Sequence, residues 1–213
     1  MTSRLASIGL SILLIGLVAC STTLFESMPT GTTTDCDPAW PGRWQPVSMP
    51  DDATRPNDAL EISADCRTVS TKSEGKSEPA HLVLINTTGG QFLQILNNGD
   101  PDCIGQGKAH CGFSLLRYER DGDTIRVFDP DHAKVAAAIN KGSIKGFSEP
   151  PDAKASKSSQ PTFRNFIAGD GKQIAKLLRQ HPELFVAEPR VVLQRLASKP
   201  TDIPDATAPD AEP

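Results

Sequence analysis

The chain has 213 residues, with 22 Lys and Arg against 26 Asp and Glu, for a formal net charge of −4. A mildly acidic chain with scattered cations lacks the basic face that nucleic acid requires, which excludes that class of partner. Aromatics make up 5% while Gly and Pro number 16 and 18, a composition suited to short strands and many turns in one domain of ordinary size with tails.

The first twenty residues read MTSRLASIGLSILLIGLVAC. Arg4 is the only charge, and residues 5–19 are uncharged and mostly apolar. A short basic region, an apolar run and small residues at its end describe a secretory signal. The apolar run falls short of the ~20 residues a spanning helix needs, leaving an uncleaved membrane helix and a plain signal cut near Ala19 as alternatives. Leu17-Val18-Ala19-Cys20 resembles the lipobox of bacterial lipoprotein precursors. That resemblance implies cleavage between Ala19 and Cys20, a diacylglycerol on the Cys20 thiol, and a fatty acyl group such as palmitate on the new amine. Ser21 follows. In the Gram-negative lipoproteins that the motif resembles, Asp at this position retains the protein in the inner membrane, so Ser21 implies the outer membrane, facing the periplasm.

Removal of residues 1–19 leaves roughly 194 residues with a charge near −5. Residues 20–35 carry the lipidated Cys and a Thr- and Ser-rich stretch that reads as a flexible tether. A single β-rich domain is expected over 36–197. Cys36, Cys66, Cys103 and Cys111 remain after Cys20; an even number in an exported chain reads as two disulfides, with three possible connectivities. The short IGQGKAH loop favours Cys103 with Cys111, leaving Cys36 with Cys66.

Within the domain, residues 59–64 alternate as a strand and 67–71 pair back on it, while the polar stretch 72–79 reads as a loop. HLVLIN (81–86) and QFLQIL (91–96) are β-type runs split by a Thr-Thr-Gly-Gly turn. GFSLLRYE (112–119) and TIRVF (124–128) flank Arg120-Asp121-Gly122-Asp123, where Asp-Gly supplies the positive-φ positions of a hairpin. Asp131 caps a short helix over about 131–140 that Gly142 closes. Strands are expected at 143–147 and 162–168, with a polar mobile loop at 149–161 between them. Asp170 and Gln173 form a capping box for a second helix, and 190–196 is a last strand or short helix. The Pro- and acid-rich residues 198–213 form a disordered tail. About eight or nine strands with two short helices indicate a mainly β fold, an antiparallel barrel or a sandwich.

Gly42-Arg43-Trp44 is similar to the G-x-W that opens lipocalin-like barrels. The resemblance implies that Trp44 plugs one end and that a late Arg, Arg190 or Arg195, covers it. By itself, Trp44 reads as a core residue at a domain edge.

No set of residues assembles a reaction. His110 with Cys103 and Cys111 is too widely spaced for a local zinc site, and His81, His132 and His181 are scattered. The pairs Asp100/Asp102, Asp121/Asp123 and Asp129/Asp131 suit turns and helix starts, and Ser73-Glu74-Gly75-Lys76 lies in a polar stretch without the partner motifs of its enzyme class. No catalytic residue, cofactor or metal is therefore expected. The expected function is a membrane-anchored envelope module that binds a small apolar ligand or an envelope protein. The alternatives are a structural, assembly or inhibitor lipoprotein and an envelope hydrolase.

Overall fold

A computed structural model describes residues 21–33, 36–48, 59–73, 76–96, 102–103, 111–149 and 162–197. The first strands are β1 (Thr22–Phe25), β2 (Thr32–Thr33), β3 (Gly42–Ser48), β4 (Leu60–Ile62), β5 (Thr68–Ser73), β6 (Lys76–Thr87) and β7 (Gly90–Leu96). They are followed by β8 (Asp102–Cys103), β9 (Cys111–Gly112), β10 (Leu116–Asp121) and β11 (Thr124–Phe128). Helix α1 (His132–Asn140), β12 (Gly146–Glu149), β13 (Arg164–Ile167), α2 (Gly171–Gln180) and β14 (Val191–Arg195) complete the order.

Eight of these strands close an antiparallel barrel. Around it run β3, β4, β5, β6, β7, β10, β11 and β14, each paired with its predecessor, and β14 pairs back onto β3. Barrel neighbours thus follow chain order, an up-and-down meander of the architecture that lipocalins share. The turns at one end are short. Only Gly122 and Asp123 separate the paired Asp121 and Thr124, and positive φ is confined to Gly122 (+56°); glycine takes the first central position and Asp123 keeps an ordinary φ. At the other end only residues 74–75 separate β5 from β6, but the β3–β4, β7–β10 and β11–β14 connections are long, and the last carries both helices.

Side chains alternate across each strand, which gives the barrel wall two cores. Trp40, Trp44, Ile62, Leu82, Leu84, Leu93, Tyr118, Ile125 and Leu193 belong to the interior cluster. The outward Ile85, Phe92 and Phe128 pack with Phe25, Ile167, Ile174 and Leu178 under a second layer. That layer consists of α1, α2 and a three-stranded sheet in which β1 runs parallel to β13 and β12 antiparallel to it. Asp170 accepts from the backbone N–H of Lys172 and Gln173 at 2.9 Å, and Gln173 Oε1 accepts from Asp170 N–H at 2.9 Å. This capping box starts α2 and turns Ile174 and Leu178 into the core. Burial of each is worth about 1.5–3 kcal/mol. Gly89, in the β6–β7 turn, lies so close to α2 that a Cβ would meet Arg179 N at 2.6 Å.

The short-turn end is shut. Trp44 is 0% exposed, its indole N–H donates to Trp40 O at 2.9 Å, and the Arg195 guanidinium lies 4.3 Å from its ring centre. Arg195 also donates to Pro41 O at 2.8 Å and pairs with Asp123 at 3.1 Å. The segment 36–41 is thereby strapped across the barrel. Its outer part is held by the Cys36–Cys66 disulfide and by Asp37, which accepts from Arg120 at 2.9 Å. Tyr118 stands edge-on to Trp40, with ring centres 4.9 Å apart, and its hydroxyl is pushed up to about 12 by burial and then by the Asp37 charge.

Several sequence expectations are corrected. The tether assigned to 20–35 includes β1, whose Thr23, Leu24 and Phe25 are 2%, 0% and 1% exposed; parallel pairing with β13 orders a stretch that has no apolar period of its own. The loop expected over 72–79 is largely strand, since β5 runs to Ser73 and β6 starts at Lys76. The strand expected at 112–119 is split, with β9 ending at Gly112 and β10 starting at Leu116. The strand expected at 143–147 shifts to Gly146–Glu149, which takes Glu149 out of the expected loop. Of the two alternatives for 190–196, the strand is the one formed, over Val191–Arg195. Residues 1–20, 34–35, 150–161 and 198–213 lie outside the described residues, and with them the signal, Cys20, most of the expected loop and the tail.

Trp44→Ala should destabilise the domain by about 3–5 kcal/mol, as expected for a fully buried aromatic. Denaturant melts check this; an unchanged midpoint would rule out the plug.

Candidate functional site

Above the plug the barrel is hollow. A cavity of 140 Å³ is lined by apolar side chains from every barrel strand but β3: Leu60 and Ile62, Val69, Leu82, Leu93 and Ile95, Leu116, Ile125 and Val127, and Val191 and Leu193, with Trp40 also on the lining. Ile95 remains 47% exposed, marking the cavity's open side.

Leu116, Val127 and Val191 also line a second cavity of 310 Å³, whose lining mixes apolar with polar and charged side chains. Its other walls are Ser21, Thr22 and Thr23 around the start of β1, Ser114 before β10, and Asp129, Pro130, His132 and Arg190. An apolar chamber and a partly polar vestibule therefore adjoin at the rim of the barrel. The chamber alone is small for a ligand site; with the vestibule it reaches the ~300–1,000 Å³ typical of such sites.

A buried polar network stands behind the vestibule. Thr23 Oγ1 lies 2.8 Å from His132 Nδ1. Asn165, 0% exposed, donates from Nδ2 to Thr23 Oγ1 at 3.2 Å and to His132 O at 2.9 Å. Its Oδ1 accepts from Ser148 at 2.8 Å. Thr23 thus uses a lone pair for Asn165, and its hydroxyl proton has His132 Nδ1 as partner. Among the described contacts this is the one acceptor for the Thr23 proton, and on that ground Nδ1 is assigned as the acceptor and the ring proton to Nε2. Burial lowers the His132 pKa below the ordinary value, Asp129 and Asp131 pull it up, and Arg190 adds to the lowering. Arg190 and Asp129 form an ion pair across the vestibule.

The residues singled out by sequence fall in different places. Trp44 lies at the shut end with Arg195, and Arg190, the other candidate to cover it, belongs to the vestibule. Cys36 and Cys66 are bonded to each other. Cys111 is disulfide-bonded and stands opposite Cys103 in the β8–β9 ladder. His110 lies outside the described residues, His81 is exposed on β6, and His181 pairs with Glu183 at 2.8 Å. Asp131 caps α1 by accepting from Lys134 N–H at 3.1 Å. Among the described residues, no group of three or more His, Cys, Asp or Glu is placed to hold a metal ion. Thr23, Asn165, Ser114 and the vestibule role of His132 were not found from sequence. Thr23 lies 109 and 142 positions from its partners His132 and Asn165, Asn165 lies 33 from His132, and the one local signal is the helix start at Asp131-His132.

Comparison of the chain with protein-family profiles, curated proteins and solved structures finds no match.

A lowered His132 pKa means that the unfolded chain takes up this proton before the folded chain does. The contribution to stability is then complete above the unfolded value of about 6.5 and is lost as pH falls toward the folded value. NMR should show His132 titrating below that value, and His132→Asn should flatten the decline in stability as pH falls below about 6.5. An imidazole titrating above 6.5 would contradict the assignment.

Proposed function

We propose that the protein is a membrane-anchored envelope lipoprotein whose barrel binds one small amphipathic ligand without transforming it. The observation that carries this reading is the interior itself: a chamber walled by aliphatic side chains, closed at one end and opening beside a partly polar vestibule. Each CH₂ transferred from water into such a chamber is worth about 0.8 kcal/mol, so a short stretch of chain suffices for useful affinity. The hydroxyl nearest an imidazole, that of Thr23, is committed to Asn165 and His132 and is 2% exposed. That suits a group that orients the ring better than a nucleophile.

Lipidation rests on Leu17-Val18-Ala19-Cys20. Because β1 begins at Thr22 and Ser21 Oγ accepts from Phe163 N–H at 3.1 Å, an acylated Cys20 would be joined to the domain without a spacer. Ligand exchange would then occur at the membrane surface, on the side of the fold where Ser21 lines the vestibule.

Trp40 and Trp44 are the two tryptophans of the chain, and Trp40 lines the chamber. A brominated fatty acid should therefore quench the fluorescence saturably with one site per chain. Leu93→Phe, which fills the chamber, and Val191→Trp, which blocks its rim, should each weaken binding at least about tenfold, a change of about 1.4 kcal/mol, while leaving the fold intact by circular dichroism. Saturable quenching that neither variant alters would place the ligand elsewhere. For the anchor, Cys20→Ala should release the protein from membranes or leave it unprocessed. A mature N-terminus at another residue by mass spectrometry would refute lipidation without touching the binding reading.

A further inference from the structure

We propose that the vestibule is an oxyanion site and that the ligand is a single-chain amphiphile with an acidic head, held by His132 Nε2–H and Arg190 while its chain enters the barrel. The inference deepens the binding function above and rests on it.

The donors are set by the network behind them. Asn165 fixes Thr23, Thr23 occupies His132 Nδ1, and the remaining ring nitrogen carries the proton. His132 is thereby a neutral donor of fixed orientation on the wall of the vestibule. Both supporting side chains are buried, Asn165 at 0% and Thr23 at 2%, and Ser148 holds Asn165 in turn. An amide, two hydroxyls and an imidazole in series form a costly arrangement to bury, because each group left unmatched would lose about 1–3 kcal/mol. The matching leaves one polar hydrogen unpaired within the network, that on Nε2 of a ring that belongs to the vestibule lining.

Arg190 supplies the charge. Its guanidinium has five N–H donors in a fork suited to two oxygens, Nη1 bonds Asp129, and the side chain is 60% exposed. Ser114 and Ser21 add hydroxyls to the same lining. The acceptor on this wall, Asp129, is already paired with Arg190 and would repel a second anion unless Arg190 stood between them. A head with two acidic oxygens can share the guanidinium with Asp129 and accept from His132, whereas an alcohol head offers one oxygen and no charge. The apolar chamber begins at Leu116, Val127 and Val191 on the same wall, where the chain of such a ligand must turn in.

The test compares three probes of one chain length on the full-length protein in detergent: a brominated fatty acid, the matching alkyl phosphate and the matching alcohol, each read by tryptophan quenching. The acid should bind at least about tenfold tighter than the alcohol. A phosphate that binds like the acid indicates shared oxyanion chemistry, and one that binds like the alcohol narrows the head to a carboxylate. Arg190→Gln removes the charge. His132→Asn keeps an acceptor for Thr23 near the Nδ1 position and removes the Nε2 donor. Both should lower acid affinity by more than alcohol affinity and so reduce the preference for acid, whereas a merely structural effect would weaken both probes alike. Equal binding of acid and alcohol by the wild-type protein would overturn the oxyanion site and leave the barrel reading standing. Failure of all three probes to bind would overturn both. An acid preference that survives both substitutions would overturn the assignment to these residues.

Discussion

The stack of Arg195 on Trp44 is the contact on which the rest of the barrel depends. It joins the first barrel strand to the last, the one pair of neighbours that chain order alone does not bring together. The same guanidinium reaches Pro41 O and Asp123, so one side chain ties together the strap, the β10–β11 turn and the closing seam. A cation over an indole is worth about 0.5–2 kcal/mol, modest beside the burial of Trp44 itself. Its larger effect is geometric, since it fixes the end of the barrel at which space is filled and so decides where space remains.

That division follows from residue size. An eight-stranded barrel has an interior just wide enough to be filled by side chains or to hold one small ligand. The interior aromatics are Trp40, Trp44 and Tyr118, grouped with the strap at the shut end. Beyond those rings the chamber is walled by Leu60, Leu116, Val127 and Val191, branched aliphatics too short to meet across the axis. With 5% aromatics in the whole chain, few large rings are left to fill that half. The hollow is thus a consequence of composition once Trp44 has taken its place.

The parts of this arrangement that could be read from sequence are those with local causes. The β10–β11 hairpin, the capping box of α2 and the Asp131 cap are written within a few residues, and so is the inward alternation of β6 and β7. Trp44 stood out because G-x-W at the start of a strand-rich domain has few uses; the choice between Arg190 and Arg195 could not be made, because both lie near the last strand and only register separates them. Strand β1 was illegible for a different reason. Thr22–Phe25 has no period to betray it, and its partner β13 begins at Arg164, so its order comes from tertiary pairing rather than from its own propensity. The polar network was hidden by the same distance, since Thr23, His132 and Asn165 are neighbours only after three separate elements have packed.

The vestibule exists because of where the chain leaves the barrel and where it returns. Between β11 and β14 the chain makes its second layer, then rejoins through Val186 N–H to Asp129 O at 3.0 Å and Arg190 N–H to Val127 O at 2.8 Å. Asp131 N–H donates to Leu184 O at 2.7 Å beside the Pro130–Phe185 bridge, so the two ends of the insertion are zipped together over the open rim. The Asp129–Arg190 pair sits on this neck, and His132 is the first residue of the helix that leaves it. In the binding mode we propose, head-group chemistry and chain-binding space are supplied by different parts of the fold. The barrel sets the depth and girth available to a chain, while the neck of the insertion sets the polarity at its mouth. On that proposal a change in the neck alters the head that is accepted without disturbing a barrel hydrogen bond, because the side chains of Asp129, His132 and Arg190 contribute to the rim and not to the wall.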